Sequence, residues 1–167
     1  MKKVIFLITI GILIFQKNIG QNPIYKFSEI KAHLFYNLNN DFSDKKLAGT
    51  ISENIIDNKD FSLWNTIIGE GSAEGSSNQT LLVFNITGEK ETNENRTLKI
   101  VCKLGGKVIL KQETEFSNFS QNQNYCYAVL VNDTGCGKLV IYAEIFNPVT
   151  KKIEDKITKT INFDCGE

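Results

Sequence analysis

Hydrophobic and polar residues alternate along the second half of the chain, in short runs separated by turn residues. Gly105-Gly106 stands between two of these runs and is typical of a two-residue hairpin turn. No helical pattern intervenes, so the runs predict an antiparallel β-sandwich. Six runs rich in β-branched and aromatic residues have the lengths of strands: 80–87, 97–104, 107–116, 125–131, 138–146 and 153–163.

The part of the chain before residue 80 gives a less regular pattern. The sequence "FSLWNTII" (61–68) predicts a seventh strand, and a loop rich in Gly and Ser follows it. Residues 60–167 therefore match the roughly 100 residues of an immunoglobulin or fibronectin-type sandwich. Residues 27–38 fit a strand, but their apolar residues also have helical spacing after an N-capping serine. We favour a short helix there, within a less regular N-terminal arm at 21–59.

The first 20 residues have the organisation of a secretory signal peptide. Lys2 and Lys3 precede an apolar run of 12 residues (4–15), which is too short to span a bilayer. We expect cleavage near Gly20 and an exported protein, periplasmic or extracellular. No later segment is long and apolar enough for a transmembrane helix.

The charge of the exported chain narrows the classes of partner. Removing 1–20 removes three lysines and no acidic residue, which leaves 16 basic and 19 acidic residues and a net charge of −3. A chain of this charge does not attract polyphosphate, so we expect no nucleic-acid partner. The chain also lacks a basic amphipathic stretch of the kind that binds membrane surfaces.

Four cysteines in an exported chain predict two disulfides. Cys136 lies two residues before the fifth of the six runs, and Cys165 lies two residues after the sixth. The start of one strand lies beside the end of the next in an antiparallel pair, so we expect Cys136 to bond Cys165. Elimination then pairs Cys102 with Cys126. A bond between Cys126 and Cys136 is the alternative, although the turn between them is off-centre by two to three residues.

No group of residues in the sequence has the pattern of a catalytic or metal site. The only histidine, His33, has no serine or cysteine motif near it, and a serine triad requires a histidine base. The cysteine spacings of 24, 10 and 29 do not provide the paired ligands of a zinc site. We therefore predict a non-enzymatic protein without a metal or cofactor.

Two features are candidates for binding a partner. Tyr125 and Tyr127 share one face of a predicted strand, where core packing is the ordinary interpretation and an exposed pair would bind a sugar or a partner strand. The last run alternates charged and apolar residues, and Lys156 and Lys159 mark it as a possible open edge. Such charges more commonly stop a protein from pairing with itself. Trp64 is expected to lie in the core.

Three segments carry a family resemblance: "LWNTIIGEGSAEGSSNQTLLVFNITG", "DTGCGKLVIYAEI" and "INFDCGE". Over residues 62–167 the chain resembles CsgH-like chaperones of the curli-type amyloid fibre systems of Bacteroidetes. The resemblance implies a periplasmic β-sandwich that binds curlin subunits and delays their fibre formation. It identifies no functional residue. The alternative is a cell-surface adhesion or carbohydrate-binding module, which predicts exposed aromatic residues in a cleft.

Overall fold

The fold is an antiparallel β-sandwich, as the sequence predicts, and the described residues contribute seven strands to it. In the computed structural model, no helix occurs among the described residues, which are 25–35, 51–56, 77–88, 94–117 and 124–163. The strands are β1 (Tyr25–Leu34), β2 (Thr80–Gly88), β3 (Arg96–Leu104), β4 (Lys107–Phe116), β5 (Asn124–Val131), β6 (Gly137–Asn147) and β7 (Lys152–Phe163).

The strands form two sheets, with the orders β1-β2-β5 and β4-β3-β6-β7. In an immunoglobulin constant domain the fourth strand belongs to the same sheet as the first two. Here β4 pairs with β3, because the Gly105-Gly106 turn folds it back directly. Both glycines have positive φ (54° and 88°), as the two-residue turn requires. Within the described residues the sandwich therefore has three strands in one sheet and four in the other.

The core lies between the sheets and follows the two-residue period of the strands. Successive side chains of a strand point to opposite faces, so every second residue of a central strand is buried. Burial removes these side chains from water and stabilises the sandwich by about 25 cal/mol per Å² of apolar surface. The fully buried residues of the central strands include Leu82, Phe84, Leu98, Ile100, Leu139, Ile141 and Ile145.

The favoured helix at 27–38 is wrong, because Tyr25–Leu34 forms strand β1. It pairs with β2 in a register that places Ile30 opposite Phe84, with a β-bulge between Phe27 and Glu29. Ile30, Ala32 and Leu34 are buried with a period of two. The sandwich therefore includes residues before the predicted boundary at residue 60.

Several predicted features lie outside the described residues. They are the signal peptide (1–20), the strand at 61–68 with Trp64, and Cys165. These stay predictions. Within the described ranges, no helix has the length and hydrophobicity to cross a bilayer.

Candidate protein-binding edge

The outer edge of β1 is closed at its start by two carboxylates of β7. The backbone N–H of Phe27 donates to Oδ2 of Asp155 at 2.8 Å, and that of Tyr25 donates to Oε2 of Glu154 at 3.3 Å. An edge strand normally presents such unpaired groups to other chains. Here they are satisfied within the molecule, so the start of β1 is a poor site for another strand.

The other end of β1 is covered by residues 51–56. The N–H of Ser52 donates to the carbonyl oxygen of Leu34 at 3.0 Å, and the N–H of Ile55 donates to that of Ala32 at 2.8 Å. The hydroxyl of Ser52 in turn accepts from the N–H of Leu34 at 2.9 Å. Both ends of the β1 edge are thus occupied by the chain itself.

A buried charged group holds Glu154 in place. Nε of Arg96 donates to Oε1 of Glu154 at 2.8 Å, and Nδ2 of Asn147 donates to the same oxygen at 2.8 Å. Nη1 of Arg96 also binds Oε2 of Glu94 at 3.1 Å, and the guanidinium lies 5.1 Å from the centre of the Tyr25 ring. Because Arg96 is fully buried, these partners are needed to offset the loss of its hydration.

The outer edge of β4 contrasts with that of β1. β4 pairs with β3 over nine of its ten residues, with a register shift at Ile109, and no described strand pairs with its other side. At about 3.4 Å per residue, this edge extends about 34 Å. Lys111, Glu113 and Glu115 are exposed along it, and they alternate with half-buried residues. The β4 edge therefore has the length and the alternation that an added strand needs.

The tyrosines singled out in the sequence lie beside this edge, where β5 faces β4 across the side of the sandwich. The Tyr125 ring stacks on Phe116 with 4.6 Å between ring centres, and on Tyr127 with 6.5 Å. The amide of Gln112 donates to the Tyr127 hydroxyl. We call Gln112, Phe116, Tyr125 and Tyr127 the aromatic rim.

The rim side chains are half-buried or buried. The two tyrosines are therefore neither a fully exposed pair nor residues enclosed in the core, which were the two interpretations of the sequence. Tyr125 and Tyr127 pack against the core cluster from its margin. Desolvation raises the pKa of Tyr125, and the nearby Tyr127 and Cys126 add to the shift. The Tyr125 hydroxyl therefore keeps its proton and remains a hydrogen-bond donor over the physiological range.

The two predicted lysines lie on β7, and they are not on one face. Lys156 is exposed on the outer face of the four-stranded sheet, opposite Glu144 in the strand register. Lys159 is half-buried and opposite the buried Ile141. β7 and β4 are the two ends of the same sheet. The four predicted partner-binding residues therefore do not form one surface.

The predicted bond between Cys102 and Cys126 is wrong, because both are free thiols. Cys102 is fully buried on the inner face of β3, whereas Cys126 is exposed on β5. Cys126 alternates with the inward Tyr125 and Tyr127, so its side chain points away from the core. Burial raises the pKa of Cys102 to about 12, which makes it an unreactive thiol at neutral pH.

The predicted bond between Cys136 and Cys165 stays a prediction, because Cys165 lies outside the described residues. Cys136 is disulfide-bonded. The register of β6 and β7 places Gly137 opposite Phe163, the last residue of β7. Cys136 therefore lies just beyond the end of β7. This is the arrangement that the hairpin argument requires.

Metal-ligand residue types are dispersed over the described part of the chain. No three His, Cys, Asp or Glu side chains come together among them in a way that would hold a metal ion. His33 lies on β1, where Nδ1 is 2.8 Å from the carbonyl oxygen of Ser52. Its contact therefore helps to attach residues 51–56 to β1.

Comparisons with known proteins give no family. No protein-family profile matches the chain, and no curated protein matches it. A calcium binding mutant of Bacteroides uniformis beta-glucuronidase 2 is similar in structure, with a TM-score of 0.43, 9% identity, and coverage of 51% of this chain and 11% of that one. A putative beta-galactosidase from Bacteroides fragilis has a TM-score of 0.42 and 10% identity, covering 50% of this chain and 14% of that one. The chain thus spans a small part of either protein, and similarity at this level supports no inference about function.

Proposed function

We propose that this protein is an exported, non-enzymatic binding protein that takes up an extended segment of a partner protein at the outer edge of β4. The observation that carries the proposal is the contrast between two edges. The β1 edge is closed by side chains of β7 and by residues 51–56, whereas no described strand covers the ten residues of β4. Strand addition at an open edge is a common way of recognising peptides.

The surroundings of β4 favour a partner segment that alternates apolar and polar residues. Main-chain hydrogen bonds to the β4 edge would supply affinity without regard to sequence. Every second side chain of the added strand would point towards the aromatic rim, where Tyr125 and Tyr127 offer partly exposed ring surface.

We further propose that the partner is a subunit of a curli-type amyloid fibre. Such subunits join a fibre by adding strands edge to edge, so a soluble protein with an open edge competes for the same backbone groups. Such competition would hold subunits soluble until they are exported. Because it acts on fibre ends and nuclei, it is effective when the protein is much scarcer than the subunit.

The test is curlin fibre growth followed by thioflavin fluorescence, with the oxidised protein present well below one molecule per subunit. We expect a dose-dependent extension of the lag phase. An unchanged lag across that range, with a folded protein, would remove the chaperone function.

A pair of proline variants tests the role of the β4 edge itself. Successive backbone amides of a strand point to opposite sides, so either Glu113→Pro or Thr114→Pro removes an amide that faces away from β3. Thermal unfolding identifies the variant that keeps its stability. We expect that stable variant to lose the lag extension. Full activity in the stable variant would show that β4 is not the binding edge.

A further inference from the structure

The outer face of the four-stranded sheet carries a row of alternating charges. The strand register places Glu113 of β4, Lys99 of β3, Glu144 of β6 and Lys156 of β7 side by side across the sheet. Nζ of Lys99 lies 3.6 Å from Oε1 of Glu144. Their order across the sheet is negative, positive, negative, positive.

A row of this order is complementary to itself. When two such faces are related by a two-fold axis parallel to the strands, each row meets its own reverse. Glu113 then faces Lys156 of the partner subunit, and Lys99 faces Glu144 of the partner subunit. All four contacts across the interface join opposite charges. The same operation keeps the strands of the two sheets nearly aligned, as in face-to-face sheet packing.

We propose that this outer face is the contact surface between two copies of the chain. Charge complementarity selects a second copy as the occupant, because the face presents both signs in equal number along the row. A strongly acidic or basic partner would meet like charges at every second position.

The neighbouring row supplies apolar contact to the same dimer. It consists of Lys111, Val101, Tyr142 and Thr158, again in order across the sheet. The two-fold axis brings Val101 against Tyr142 of the partner subunit. Tyr142 is 42% exposed and borders a depression of about 320 Å³. Its ring is therefore available for burial against a second molecule.

The size of the face predicts a weak dimer. Four strands about 4.8 Å apart and about 34 Å long present roughly 650 Å² on each copy. A stable interface buries about 800 Å² on each partner, so we expect reversible dimers at micromolar concentration. The interface covers the face of the sheet and leaves the β4 edge free, so the dimer does not depend on the proposed function.

Sedimentation equilibrium on the purified, oxidised protein tests the dimer, from about 1 to about 200 μM at low salt. Glu144→Lys would place the introduced ammonium group against Lys99 of the partner subunit, and we expect the dimer Kd to rise about tenfold or more. The double variant Lys99→Glu with Glu144→Lys restores opposite charges at every contact and should return the Kd to near the wild-type value. Glu53→Lys makes the same charge change at an exposed residue outside this sheet, so it should leave the dimer unchanged.

A protein that sediments as a monomer at every concentration would contradict the proposed dimer. Equal effects of Glu144→Lys and Glu53→Lys would also overturn this geometry, as would a double variant that stays dissociated while circular dichroism shows it folded. Saccharide binding that depends on Tyr142 in a protein that stays monomeric would instead assign the face to a glycan.

Discussion

Nε of Arg96 lies 2.8 Å from Oε1 of Glu154, and the two side chains are 0% and 8% exposed. The pair joins the start of β3 to the start of β7, across β6. Through its other oxygen, Glu154 accepts the N–H of Tyr25 on β1. One buried ion pair thus connects the four-stranded sheet to the edge strand of the other sheet, and it helps to close the edge that a partner would otherwise use.

Removing one member of this pair is expected to cost much more stability than breaking an exposed pair. Arg96→Ala leaves Glu154 buried without its cation, and we expect a loss of about 3–5 kcal/mol in the free energy of unfolding. Lys31→Ala is the matched control, because Lys31 pairs with Glu29 at 3.2 Å on the exposed surface and should cost less than about 1 kcal/mol. Urea unfolding measures both, and equal losses would contradict the structural role of Arg96.

Gly88 is expected to tolerate no larger residue, because the Tyr25 ring occupies the space that a side chain at residue 88 would need. A Cβ added at Gly88 would overlap atoms of the Tyr25 ring, which also packs edge-on against Phe116 at 5.4 Å. We expect Gly88→Ala to destabilise the protein by about 1–3 kcal/mol. In a Tyr25→Leu background the same change should cost less, because the overlapping ring atoms are absent. An equal loss of stability in both backgrounds would show that residue 88 needs glycine for its backbone conformation and not because of the Tyr25 ring.

The strands from β2 to β7 could be predicted because their signals are local. Each alternates apolar and polar residues between clear turn residues, and the observed bounds lie within one residue of the predicted ones. β1 could not be settled, because the apolar residues of 27–38 satisfy both periods. Pairing with β2 decides the conformation of β1, and that contact is distant in sequence.

The buried group around Arg96 gave no signal in the sequence. Arg96 ends the polar tract "EKETNENR" and reads as a loop residue, and its partner Glu154 lies 58 positions away. The bond between Cys102 and Cys126 was wrong for a related reason. An even number of cysteines does not show which side chains face the core, and Cys102 and Cys126 lie on different sheets.

Stability is expected to fall at alkaline pH because of Cys102. Burial raises its pKa in the folded protein to about 12 from 9.0, so between these values the unfolded chain loses the proton while the folded chain keeps it. The stability that the protonated Cys102 thiol adds to the folded protein is fully present below pH 9. It falls by about 1.4 kcal/mol per pH unit between pH 9 and 12. Unfolding at pH 8 and 10.5 should show this fall relative to Cys102→Ala, which lacks the thiol. Parallel pH profiles of the two proteins would contradict it.

The oxidised protein is expected to contain one disulfide and two free thiols. Cys126 should react with a thiol reagent in the native state, whereas Cys102 should react only after unfolding, since it is buried. Peptide mapping should recover Cys136 bonded to Cys165, and reducing this bond should cost roughly 3–4 kcal/mol for a loop of about 30 residues. A recovered Cys102–Cys126 peptide would contradict the described positions of these thiols.

Amide hydrogen exchange on β4 tests the central claim most directly. The protein is exchanged alone and with a curlin-type subunit held soluble, and protection is read for β1 and β4 separately. We predict that alternate amides between Lys107 and Phe116 exchange more slowly with the subunit, while those of β1 do not change. Binding without new protection on β4, or with protection confined to β1, would contradict strand addition at the open edge.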